Sequence, residues 1–133
     1  MILESMTLEN FRVFQGRQKI VFSKNPDKNV TIIHAENGFG KTTILKALHW
    51  GFYGHDGLEG DVVFLKPEKL IHDGEALKGA SDPENVSTSV QITFSQDNKR
   101  FFLTRSLTLA QQNIDSKKTS LNLDEEKHGQ TFP

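Results

Sequence analysis

Gly38, Gly40, Lys41, Thr42 and Thr43 are the residues whose types and spacing can do chemistry. They close the run V-T-I-I-H-A-E-N-G-F-G-K-T-T, from Val30 to Thr43. The chemistry is phosphate binding. A triphosphate presents several negative charges and many acceptor oxygens, which converging backbone N–H groups and a helix N-terminus can meet. Gly38 and Gly40 let the backbone curl closely with no Cβ in the way. Lys41 supplies a mobile cation for the terminal phosphates. Thr42 offers a hydroxyl to Mg²⁺, whose other ligands are mostly water and phosphate oxygen. Thr43 offers one to the phosphate nearer the sugar. The pattern G-x-x-x-x-G-K-[ST] is met at Gly40, Lys41 and Thr42, with Ala35 in place of its first glycine.

Such a loop needs a strand before it and a helix after it. Val30 to His34 is nearly continuous in apolar residues, as a strand buried on both faces should be. From Lys41 to about Tyr53, Ile44, Leu45, Leu48 and Phe52 recur at helical spacing, and Gly54 provides a stop. These flanks disfavour the plainer reading of a chance turn before a helix.

The rest of the chain supplies a scaffold. Residues 2–9 read as a strand, Phe14-Gln15-Gly16-Arg17 as a turn and 18–22 as a second strand. Residues 54–89 read as an irregular excursion, with a short helix expected around Pro67 to Lys78. Val90 to Phe94 and Arg100 to Leu109 read as a hairpin turning at 96–99. Thr119 to Leu123 reads as a further short strand, with a turn over 124–129. No repeat, heptad or low-complexity segment is present.

Composition limits the function classes. The 133 residues suit one domain, and the net charge of −1 argues neither for nor against a nucleic-acid surface. With no Cys there is no disulfide framework, thiol catalysis or thiolate metal site. No apolar run approaches the ~18 residues of a membrane span. Glu4 and Glu9 interrupt the first apolar stretch, unlike a signal peptide. A soluble cytoplasmic protein is expected.

The loop form A-E-N-G-F-G-K-T resembles the G-x-N-G-x-G-K-[ST] loop of the ABC-type ATPases, matching at Asn37, Gly38, Gly40, Lys41 and Thr42. L-E-N-F-R at 8–12, followed by the loop near residue 35, resembles the N-terminus of the SMC-like ATPases. This group includes the double-strand-break-repair ATPases, SbcC, RecF and DndD. G-K-T-T-I-L-K-A-L-H-W-G-F-Y-G is similar to the repair and DndD branches, and V-Q-I-T-F with F-L-T-R-S resembles the strand pair that follows there. The implied fold is α/β: the N-terminal lobe of a P-loop, ABC-type head, with a mixed sheet and antiparallel hairpins around one main helix. Two strands before the loop strand suit that head better than a simple nucleotide kinase.

The resemblance implies ATP and Mg²⁺ held by Glu36, Asn37, Gly38, Phe39, Gly40, Lys41, Thr42 and Thr43, with Thr42 on the metal. It implies a place near the nucleotide for Arg12, for which a solvated surface arginine is the alternative. Arg105 is expected on the polar face of a half-exposed strand. L-N-L-D-E-E at 121–126 is not read as a Walker B motif, because Asn122 interrupts the strand. His34 and His55 lack partners at metal-ligand spacing, and Trp50 and Tyr53 are expected to be packing residues.

The Gln-loop, signature and Walker B elements of hydrolysis are not recognisable, so no catalytic residue is assigned. Residues 1–133 are expected to be a single lobe of a longer ATPase, inactive alone. The implied partners are a C-terminal lobe from the same or a companion chain, a second head in a head-to-head dimer, DNA, and a nuclease or effector. The implied role is DNA repair or defence against foreign DNA, without a membrane. Two other classes compete: a nucleotide-binding assembly module that hydrolyses nothing, and a small P-loop phosphotransferase. The absence of Arg from residues 54–89 counts against an arginine-rich lid and so against the phosphotransferase.

Overall fold

Six elements are found among the described residues: β1 (Ile2–Phe11), β2 (Phe14–Val21), α1 (Lys41–Tyr53), β3 (Ser87–Gln96), β4 (Lys99–Thr108) and β5 (Ser120–Glu125). The computed structural model describes residues 1–36, 40–54, 70–72, 74, 85–108 and 120–125, with the backbone alone for 120–122. The strands form one sheet in the order β2-β1-β3-β4-β5. All four pairings are antiparallel.

Alternation along the strands decides which face meets the helix. Met6 and Leu8 of β1, Val90 and Ile92 of β3, and Leu103 and Leu107 of β4 are buried together with Ala47 and Trp50 of α1. Ser5, Thr7, Gln91, Thr93 and Thr104 alternate with them and are exposed or half-buried. The β3–β4 connection is a two-residue turn, with Asp97 at φ 54° and Asn98 at φ 62°. Two successive positive φ values match the right-handed twist of the hairpin, and Asp and Asn tolerate them. Gln96 therefore faces Lys99, and the register runs unbroken to Ser87 and Thr108.

The first hairpin reverses earlier than the Gly16 signal suggests. Phe11 pairs with Phe14, so Arg12 and Val13 make the turn and Gly16 lies inside β2. Asn10 (φ 50°) and Arg12 (φ 54°) supply the curvature, and Asn10 Oδ1 accepts the Gly16 N–H at 2.8 Å.

The expected strand over 30–34 does not form. These residues have no strand conformation, and Val30, Ile32 and Ile33 are 73%, 84% and 40% exposed. A strand is completed by a neighbour's backbone, and no described strand pairs with this run. Of the short helix expected around 67–78, Gly74 is helical and residues 70–72 are not. Residues 70–72 lie against the end of β1, with Ile71 bridging to Phe11. The other residues of that expectation, apart from Gly74, lie outside those described. Strand β5 runs on through Asp124 and Glu125, where a turn was expected. It pairs antiparallel with β4, and Glu125 reaches Lys99 Nζ at 3.4 Å. Residues 121–125 therefore lie in a strand paired with β4 that Asn122 does not interrupt.

Helix α1 spans the expected residues, and of the expected stripe Ile44, Leu48 and Phe52 pack against the core while Leu45 is exposed. Thr43, Ala47, Trp50 and Gly51 are buried, whereas Leu45 is 51% exposed and Ile44, Leu48 and Phe52 are half-buried. Small residues let the helix backbone come close to the sheet. A Cβ on Gly51 would lie 2.6 Å from Ile92 Cδ1 and 3.2 Å from Val90 Cγ1. Trp50 then fills the space beside this contact, its ring centroid 5.7 Å from that of Phe11. Among the described residues, no helix is long and apolar enough to cross a membrane.

Candidate functional site

Helix α1 opens at Lys41 with Gly40 as its N-cap. Gly40 has φ 102°, a left-handed conformation that glycine adopts without steric penalty. The first helical bond runs from the Ile44 N–H to the Gly40 carbonyl at 2.9 Å. The N–H groups of the first turn have no intrahelical acceptor. Among the described residues no side chain caps this end, and the first turn holds no acidic residue to offset the positive end of the helix dipole. Lys41 and Thr42 are exposed there, while Thr43 is buried. The end of α1 thus presents N–H donors, a cation and a hydroxyl to solvent.

The β1–β2 turn lies against this end. The position a Cβ would take on Gly40 is 2.6 Å from Phe14 Cζ and 3.3 Å from Val13 Cγ2. Arg12, just before them, is half-buried, and its backbone N–H donates to the Leu70 carbonyl at 2.8 Å. Two residues on, the His72 N–H donates to the Asn10 carbonyl at 2.8 Å. Residues 70–72 therefore strap the Arg12 turn from the side. His72 is itself set by a 3.1 Å bond that its Nδ1 accepts from the Gly74 N–H.

These contacts make Gly40→Ala a sharp probe. The substitution combines a strained positive φ with a clash against an aromatic ring. A destabilisation of about 1–3 kcal/mol is expected. Chemical denaturation measures it, and Phe14→Leu in the same chain should recover part of the loss by removing the clashing atom.

The sequence-derived site residues divide accordingly. Gly40, Lys41, Thr42 and Thr43 stand together at the helix end, and the Arg12 turn is brought beside Gly40 from 28 positions away in sequence. Glu36 is exposed on the approach to the loop. Asn37, Gly38 and Phe39 lie outside the described residues. The reading along the chain missed the packing of Val13 and Phe14 on Gly40 and the strap from 70–72. Neither leaves a local signal, because both join segments distant in sequence.

Arg105 departs from its expected place on a polar face. It is 8% exposed on the helix-facing side of β4, and its Nε donates to the Gly51 carbonyl at 3.1 Å. Burial pulls its pKa below the ordinary arginine value. A cation beside the last turn of a helix is favourably placed against the dipole.

Comparison with known proteins agrees with this architecture. The family model described as an AAA domain matches residues 5–132. The DNA replication and repair protein RecF of Chlorobium luteolum is 27% identical over 100 residues, covering 73% of this chain and 25% of its own length. The SMC head domain from Thermotoga maritima superimposes with a TM-score of 0.56 at 21% identity, covering 96% of this chain and 39% of that one. The chain thus spans about a quarter of the length of the curated relative it matches. The likeness to the SMC head is one of fold.

Proposed function

Because the chain belongs to the AAA domain family and has the fold of an SMC-like head's N-terminal lobe, we propose that it is the ATP-binding lobe of a P-loop ATPase of the SMC and RecF kind. The observation that carries this reading is the uncapped, acid-free N-terminus of α1, opened by a left-handed Gly40 and carrying Lys41, Thr42 and Thr43. These groups fit a nucleotide triphosphate. Lys41 and the first-turn N–H groups would hold its phosphates, and the Thr42 hydroxyl would complete an Mg²⁺ shell. Bound Mg²⁺ supplies neutralisation of phosphate charge. Residues 36–39 would form the rest of the cradle, and Arg12 would stand at its rim.

A second lobe completes the head in this reading. Support comes from Val30, Ile32 and Ile33, whose apolar run is left exposed beside the loop. A strand buried on both faces needs neighbours on both sides, and such neighbours would come from the same or a companion chain. A cleft of about 590 Å³, lined by Met1, Ile2, Leu3, Phe22 and Thr31 among others, lies alongside that run. Hydrolysis belongs to the complete head, formed from two copies that sandwich ATP. Because the RecF relative is named for DNA replication and repair, DNA is the proposed partner. The proposed role is repair or defence against foreign DNA in the cytoplasm, with a nuclease or effector acting alongside.

Calorimetric titration of the chain with ATP in the presence of Mg²⁺ tests the reading. Saturable binding at about micromolar to millimolar concentration is expected, some −4 to −8 kcal/mol. No binding at several times the upper concentration would remove its basis.

A further inference from the structure

Helix α1 is held at its two ends by different parts of the sheet. Its N-terminal Gly40 packs on Val13 and Phe14 of the first hairpin. Its C-terminal turn rests on the second hairpin. There Gly51 sits so close to β3 that a Cβ would overlap Ile92, and the Gly51 carbonyl is bonded by Arg105 of β4. The Arg105 guanidinium also reaches over the next glycine, with Nη1 3.1 Å from where a Gly54 Cβ would stand. Gly54 itself, at φ 66°, closes the helix by donating its N–H to the Trp50 carbonyl. Steric seat and polar latch therefore coincide within one turn.

This arrangement has a consequence at the opposite end. An α-helix is stiff along its axis, and Gly51 lies about 15 Å from Lys41 at 1.5 Å per residue. A shift of the C-terminal turn is carried to the N-terminal N–H groups. The Arg12 turn does not move with it, because β1 is fixed by its own pairing with β3. The height of Lys41 relative to Arg12 is thus set from β4.

We infer that Arg105 is a positioning residue for the phosphate loop: by latching the Gly51 carbonyl it fixes the axial position of α1, and so the alignment of Gly40, Lys41 and Thr42 with the Arg12 turn for nucleotide phosphate. The inference rests on the proposed nucleotide reading and adds a residue remote from the ligand to it. Arg105 touches no phosphate; it acts through the helix.

The test separates alignment from stability. Arg105→Met replaces a buried cation by an apolar chain of similar length and removes the hydrogen bond to the Gly51 carbonyl. ATP with Mg²⁺ is titrated into the chain well below its melting temperature, where every variant is fully folded. Arg105→Met is expected to lower ATP affinity about tenfold or more, the scale of a small misalignment. Arg105→Lys, whose ammonium can donate to the same carbonyl, is expected to recover much of that loss. A folded Arg105→Met with wild-type affinity overturns the inference alone. Absence of ATP binding in the wild type overturns the nucleotide reading and the inference with it. Should Arg105→Met not fold, Gly51→Ala combined with Ile92→Val serves instead. Gly51→Ala alone should lift the helix and weaken binding, and Ile92→Val should restore binding by removing the overlapping atom; unchanged affinity in Gly51→Ala overturns the inference.

Discussion

Replacement of Lys41 by alanine is expected to abolish ATP binding while leaving the fold intact. Lys41 is the first residue of α1 and is exposed, and in the proposed reading its ammonium is the cation that the helix end offers to phosphate. Losing one partner of a charged, desolvated contact costs about 2–5 kcal/mol, roughly thirtyfold to several thousandfold in affinity. The cost to folding is small by comparison. An exposed side chain without core contacts changes stability by about 0.5 kcal/mol or less. Calorimetry and thermal melting of the same sample read the two effects separately. Lys41→Arg should restore little, because a planar fork does not replace a compact point charge between phosphates. Unchanged ATP affinity in Lys41→Ala would move the site away from α1.

Replacement of Trp50 by alanine is expected to have the largest effect on folding. Trp50 is fully buried and packs on Phe11, where β1 approaches its turn. Emptying such a site costs about 3–5 kcal/mol. That is a large share of the ~5–15 kcal/mol that stabilises a typical domain. Trp50→Phe should be much milder. The Trp50 indole N–H is buried without a hydrogen-bond acceptor among the described residues, so removing it costs no hydrogen bond there while most of the ring volume stays. A loss of about 1–2 kcal/mol is expected for the phenylalanine variant. Urea denaturation followed by circular dichroism measures both variants, since Trp50 is the chain's single tryptophan and its fluorescence disappears with it. Equal losses for alanine and phenylalanine would contradict the packing described.

The two variants divide the helix by function. One removes a charge from its solvent end, and the other removes the mass that seats it. Both ends depend on the hairpins, through Phe14 at Gly40 and through Arg105 at Gly51. The fold of a helix seated this way tolerates change at exposed residues better than at the buried ones that hold it.

What the sequence determined by itself was local. The span of α1 followed from apolar recurrence and the Gly54 stop. The β3–β4 hairpin followed from alternating residues around Asp97-Asn98, whose side chains tolerate positive φ. The expectation of a phosphate loop came from glycines, a lysine and a threonine within a few residues of one another. Each depends on interactions among neighbours in the chain, so each leaves a pattern in the chain. The tertiary structure alone decided the rest. It centred the buried face of α1 on Ala47, Trp50 and Gly51, with Ile44, Leu48 and Phe52 half-buried beside them, because close backbone approach at Gly51 leaves no room for a Cβ. It buried Arg105 against a helix carbonyl and drew residues 70–72 onto the end of β1. It left Val30 to Ile33 exposed and outside the sheet, although their composition suits a buried strand. A strand is a property of two backbones, and a sequence states only one of them.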